Sequence, residues 1–208
     1  MIITYNTLES FKVQFGDTVL AFNPVSKKSK FPSSSFGADI ALVSINHPDM
    51  NGVETVSRGD KQPFVINGPG EYEFAEVFMR GFADTTEYDG ETRINTVYIV
   101  TLEDMRLCFL GALGNAQLSS ETLEEIGDID ILFVPIGGGG VLTPAEAHKI
   151  CVSLEPRIVI PMHYTDDTLK TFLKEEGESG LKPVDKLTIK KKDIADKEGD
   201  IVLLAPVA

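Results

Sequence analysis

The stretch from Ile131 to Met162 constrains the fold more than any other part of the chain. Two apolar runs, Ile131 to Ile136 and Arg157 to Met162, lie on either side of a segment with unusually complete helix-end signals. Thr143 can cap that helix, Pro144 suits its first position, and Glu146 completes a capping box. Ala147, Ile150, Cys151 and Leu154 recur at i, i+3, i+4 and i+7, so one face is apolar. Glu155-Pro156 stops it. The apolar runs read as buried strands, and a further helix carries Leu169, Phe172 and Leu173. Upstream, Ser119 or Ser120 caps a short helix bearing Leu123 and Ile126, which Gly127 ends. Ile201 to Leu204 makes a last strand.

The first hundred residues are strand-like instead. Met1 to Tyr5 reads as a first strand rather than a signal peptide. Phe11-Lys12-Val13-Gln14-Phe15 alternates at period two, and Gly16-Asp17 turns the chain into Val19 to Phe22. Ile40 to Val43, Pro63 to Ile66, Glu73 to Phe82 and Val97 to Leu102 follow. Met105 to Leu110 pairs with the last of these through Glu103-Asp104. Strands first and β-α-β alternation afterwards predict sheets covered by helices on their outer faces. No Pro- or Ser-rich linker divides the chain, and 208 residues suit one core, so residues 1–208 are expected to form a single domain.

The formal net charge of −13 sets limits on partners. Such a field repels phosphate backbones and anionic lipid, so neither nucleic acid nor membrane is expected as a partner. No apolar run approaches the ~20 residues of a membrane helix. The run Lys190-Lys191-Lys192 reads as a solvated strand end. Cys108 and Cys151 fall inside apolar stretches and are expected as buried, reduced thiols, which points to the cytoplasm.

Only three histidines are present. His148 lies one position off the apolar stripe of its helix and is assigned no role. His47, in Ser44-Ile45-Asn46-His47-Pro48-Asp49-Met50, and His163, in Pro161-Met162-His163-Tyr164, each follow a buried strand directly, where functional groups of α/β proteins gather. Taken singly, each is more often structural. Gly137-Gly138-Gly139-Gly140 also follows a buried strand but lacks a GxxxxGK pattern, and reads as a flexible lid or hinge. Ser44, His47 and Asp49 are too close in sequence for a catalytic triad, and no Gly-x-Ser-x-Gly elbow exists. A nucleophilic role for Cys108 is not expected.

Taken together, these segments resemble the metallo-β-lactamase superfamily, in its branch of zinc-dependent hydrolases related to ascorbate-6-phosphate lactonases. The resemblance covers nearly the whole chain. It rests on the hairpin ending Phe22-Asn23-Pro24, the His47 segment, Gly68-Pro69-Gly70-Glu71-Tyr72-Glu73, Asn95-Thr96-Val97-Tyr98, Leu110-Gly111-Ala112-Leu113-Gly114, and Pro156 to Tyr164. It implies a four-layer αββα sandwich, with two mixed sheets face to face and helices outside.

The departures from the family pattern bear on function. The resemblance implies a His-x-His-x-Asp-His motif after Ser44. Ile45 stands at its first ligand position and Met50 at its last, so only His47 and Asp49 remain. An early family histidine is replaced around Leu8-Glu9-Ser10. The bridging aspartate falls on Ala112, and the histidine three residues on falls on Asn115. His163 survives. By the family arrangement His47 would serve one metal, with Asp49 and His163 serving the other. Zinc needs about four donors, about three of them from protein at a catalytic site, and without metal there is no activated hydroxide at neutral pH.

Two functions are therefore expected. The first is a non-catalytic binding or scaffold protein with no cofactor, whose partner is a protein, a small molecule in the old cleft, or a further copy of the chain. His47 and Asp49 are then relics of the catalytic apparatus, hydrogen-bonded in place, with Asp49 capping the following turn and His47 donating to backbone. The alternative is a hydrolase of a small ester, lactone or phosphorylated substrate. It works through an altered or mononuclear site, in which His47, Asp49 and His163 converge on one shifted ion, zinc if they do converge, helped by Asp84, Glu87 or water. If Ile45 and Met50 fill the cleft, small-substrate binding loses its place. Combining Ile45→His, Met50→His, Ala112→Asp and Asn115→His is expected to bring back metal affinity.

Overall fold

The N-terminal strands in the computed structural model, which describes residues 1–207, form a meander. β1 (Ile2–Thr7), β2 (Ser10–Phe15) and β3 (Thr18–Phe22) pair antiparallel in order, and β4 (Ile40–Leu42) and β5 (Phe64–Ile66) add in parallel. A second meander follows: β6 (Gly70–Phe74), β7 (Val77–Tyr88), β8 (Glu91–Leu102) and β9 (Met105–Phe109). β10 (Ile131–Pro135), β11 (Ile158–Met162) and β13 (Asp200–Ile201) continue that sheet in parallel, while β12 (Leu187–Thr188) returns to pair with β1. The result is a six-stranded and a seven-stranded mixed sheet.

The facing sides of the two sheets make the main core. Phe11 and Phe22 from the first sheet meet Phe109 and Phe133 from the second, with ring centroids of 4.9 Å for Phe11–Phe133 and for Phe22–Phe109. All four are fully buried, each contributing roughly 1.5–3 kcal/mol of apolar burial. Tyr98 crosses between the layers and donates its hydroxyl proton to the Val43 carbonyl at 2.8 Å.

Helices cover the outer faces, as the sequence implies. On the second sheet, α2 (Ser120–Ile126), α3 (Pro144–Leu154) and α4 (Asp166–Glu175) bury Ile126, Ala147, Ile150, Cys151 and Phe172 against Val97, Ile99, Leu132 and Val159. On the first sheet, α1 (Val53–Val56) sets Val56 against Ala21 and Ala41. The fold is the αββα sandwich. Thr143 and Glu146 form the expected capping box, Pro144 opens α3, and Glu155 ends it in a left-handed conformation. His148 of α3 pairs with Glu176 at 3.0 Å, a contact between helices. Both cysteines are buried and free. Among the described residues, no helix is long and apolar enough to cross a membrane.

Three boundaries differ from expectation. The strand predicted over Glu73 to Phe82 is two strands, broken by a turn at Ala75 and Glu76, whose φ angles are +50° and +63°. No Gly or Asn announces that turn, because local propensity is overridden by pairing across the hairpin. β7 and β8 then run on to Asp89-Gly90, a dipeptide suited to a turn with two positive φ values. This long hairpin carries Tyr88 to its tip. The last strand is only Asp200–Ile201, and Leu204 makes an isolated bridge to Val184.

Candidate metal centre

The parallel strands of both sheets point their C-terminal ends the same way, and the loops that follow them meet at one end of the sandwich. β4 leads into Ser44 and the His47 loop, β9 into Gly111-Ala112, β10 into Gly137 to Val141, and β11 into His163. The β1–β2 turn joins them through the His163 amide, which donates to the Leu8 carbonyl at 2.7 Å. Both Leu8 and His163 are left-handed, with φ of +52° and +53°, a conformation uncommon outside glycine and worth a physical cause. The cause here is this backbone junction, which brings Glu9 beneath the imidazole.

Two asparagines fix the loops from behind. Asn23 is fully buried. It donates to Glu9 Oε2 and to Ser44 Oγ, and accepts from the Ser44 amide, each at 2.8 Å. Asn95 donates to the Leu110 carbonyl at 2.9 Å and accepts from the Ala112 amide at 3.0 Å. A Cβ on Gly111 would stand 2.5 Å from both Asn95 and Ser44, so only glycine passes there. A hydrogen-bonded frame thus stands behind the positions where the resemblance implies metal ligands.

Those positions are apolar. Ile45, Met50 and Ala112 are buried to 1%, 0% and 0% exposure, and form one cluster with Tyr88 and Val141. Asn115 lies outside that cluster, exposed, with its side-chain oxygen accepting from the Gln117 amide. A hollow of about 960 Å³ opens at the opposite end of the sheet, bordered by Ile129, Arg157 and Asp200, and none of His47, Asp49, Tyr88 or His163 lines it.

The surviving polar residues divide into two groups. Asp49 accepts hydroxyl hydrogen bonds from Ser29 at 2.5 Å and from Tyr88 at 3.1 Å. His47 Nδ1 accepts from the Asp49 amide at 3.2 Å, and its Nε2 lies 3.5 Å from Asp89. His47 is thus an acceptor from backbone, the reverse of the donor role expected. The second group is His163 and Glu9, with Nδ1 2.7 Å from Oε1. Glu9 is fully buried, and its second oxygen takes the Asn23 amide.

Tyr88 lies against both groups. Its ring centroid is 5.1 Å from that of His47 and 6.0 Å from that of His163. Burial, and then the charges of Glu9 and Asp49, push its hydroxyl pKa upward, so it stays a protonated donor. Among the described residues, no set of three or more His, Cys, Asp or Glu is arranged to hold a metal ion. Asp84, whose pKa burial raises, accepts from the Thr85 amide, and exposed Glu87 accepts from the Thr92 hydroxyl. Neither bonds to His47, Asp49 or His163.

Nothing in the sequence marks Tyr88 as a site residue, and Glu9 stands there only within the segment where the resemblance implies an early histidine. Glu9 lies 154 residues from His163 and Tyr88 lies 39 from Asp49. Asp89-Gly90 was the one local signal, since it sets the hairpin whose end delivers Tyr88. The glycine loop, expected as a lid or hinge, is held closely at its two ends. A Cβ on Gly137 would stand 2.2 Å from the His163 carbonyl oxygen, and one on Gly140 2.9 Å from that of Glu87. Both ends of the loop are pressed onto backbone.

Comparison with known proteins places this geometry. Residues 2–163 match the family described as the beta-lactamase superfamily domain. A UPF0173 metal-dependent hydrolase of Listeria monocytogenes is 22% identical over 195 residues, covering 79% of this chain and 85% of that protein. A UPF0173 protein of Pyrococcus furiosus is 42% identical over 52 residues, 25% of each chain. A solved structure from Thermotoga maritima, of the metallo-beta-lactamase superfamily, superposes with a TM-score of 0.78 at 28% identity. It covers 98% of this chain and 97% of that one.

Proposed function

Given that the chain belongs to the beta-lactamase superfamily domain family, we propose that it is a non-catalytic member, a binding or scaffold protein built on a hydrolase frame. The observation carrying this reading is the packed cluster of Ile45, Met50, Ala112, Tyr88 and Val141 where the family's ligands converge. Zinc does not fit the donor set. Aliphatic groups and a methyl cannot coordinate it, and a thioether suits soft copper instead. His47 and His163 each pack edge-on against the Tyr88 ring, with centroids 5.1 Å and 6.0 Å away. No hydrolytic step through a metal is derived for this chain.

The same packing weighs against a small ligand in the old cleft, because that space is occupied by side chains. Binding then belongs to the outer surface, with a protein partner or a second copy of the chain as occupant. Buried free thiols at Cys108 and Cys151 support a reducing, cytoplasmic setting.

Metal analysis of protein purified without chelator or affinity tag tests the reading. The expected result is zinc, iron, manganese and copper all far below one ion per chain, with no hydrolysis of simple lactones, esters or phosphodiesters after zinc is added. Stoichiometric metal together with zinc-dependent turnover would establish the hydrolase alternative and overturn the proposal.

A further inference from the structure

The loops at the site end come from six places in the chain and need a common tie. In a metal-holding protein, bonds from several loops to one ion supply it. Here the loops after β4, β9, β10 and β11 come together at Tyr88 instead. Its hydroxyl bonds Asp49, its ring meets the edges or faces of His47 and His163 at 68° and 75°, and it packs on Ile45, Met50, Ala112 and Val141. Gly140 borders it on the remaining side, where an added Cβ would lie 3.7 Å from Tyr88 Cδ2. The hairpin tip bearing Tyr88 is pinned to the same loop. Arg93 Nη1 donates to the Asn46 carbonyl at 3.3 Å, and Asp89 stands 3.5 Å from His47 Nε2.

We infer that Tyr88 takes the structural place of the metals: it packs against both His47 and His163, ties the loops together, and by itself closes the site to divalent cations. The inference rests on the non-catalytic reading and goes further, because ligand loss alone would leave a site that new ligands reopen. Restored ligands would still face a phenol ring. Asn115 plays no part in this closure, since it is exposed and outside the cluster. The expectation that four restored ligands suffice is therefore replaced by three restored ligands together with removal of Tyr88.

Three forms of the full chain separate the effects: Ile45→His/Met50→His/Ala112→Asp alone, the same with Tyr88→Ala, and the same with Tyr88→Phe. Each is checked for cooperative melting and dialysed against zinc. The expected zinc content is below roughly a tenth of an ion per chain where a ring remains at position 88, and about one ion where alanine opens the space. Zinc uptake near one ion with Tyr88 intact would overturn the inference, and so would no uptake by the folded alanine form.

Ala112→Asp buries a new carboxylate, which opposes folding. Where the triple forms do not fold, Ile45→His/Met50→His forms decide. With Tyr88→Ala added, that pair should gain a zinc-dependent rise in melting temperature that the pair alone and its Tyr88→Phe form lack, and a folded alanine form indifferent to zinc sinks the idea. Zinc found in the native protein would instead defeat the functional reading, so the two failures are distinct.

Discussion

Glu9 and His163 show how a single buried charge constrains its neighbours. The Glu9 carboxylate has no solvent contact, and His163 and Asn23 are its two side-chain donors. Removing one partner of a buried pair leaves an uncompensated charge, which costs about 3–5 kcal/mol. His163→Ala is thus expected to lose that much in urea unfolding, whereas Glu9→Gln, which keeps hydrogen-bonding capacity and removes the charge, should lose clearly less. Equal losses would mean that packing at this junction matters more than charge. The identities of His47, Asp49 and His163 were legible in the sequence. Their partners were not, since Glu9, Ser29 and Tyr88 are brought to them by contacts between segments distant in the chain.

At the level of elements, local chemistry and local structure agree best in α3. Thr143 Oγ accepts from the Glu146 amide, and Glu146 Oε2 accepts from the Thr143 amide and hydroxyl. The side-chain and backbone hydrogen bonds from Thr143 hold the Glu146 carboxyl below its ordinary pKa. A depressed carboxyl pKa stabilises the fold above the unfolded value, and this contribution fades as pH falls through the folded one. Thr143→Ala should cost about 1 kcal/mol. The smaller penalty of Glu146→Gln should be present at neutral pH and vanish below the ordinary glutamate range near ~4.3. A penalty unchanged between pH 7 and pH 3 in urea titrations would contradict the role of the charged form. The β6–β7 turn is the opposite case: Ala75 and Glu76 adopt left-handed angles without the usual residues, so the sequence concealed a hairpin that strand pairing imposes.

For the molecule as a whole, the charge of −13 makes self-repulsion a measurable part of stability. Raising salt from low to moderate concentration shortens the screening length to about 10 Å at 0.1 M. The melting temperature should rise, by roughly 2–4 °C for each kcal/mol of repulsion relieved, and a fall in calorimetry would show that ion pairs such as Lys191–Asp130 dominate instead. Hydrophobic periodicity, helix-end chemistry and ordered family segments determined the layered sandwich from sequence alone, because each acts over a few residues and the core needs only apolar groups at the right period. The family resemblance alone set Ile45, Met50 and Ala112 at positions where it implies metal ligands. What packs around them was decided by tertiary structure. Whether a cleft is open depends on volumes brought from remote segments, and here the end of a long hairpin sets a tyrosine against both His47 and His163.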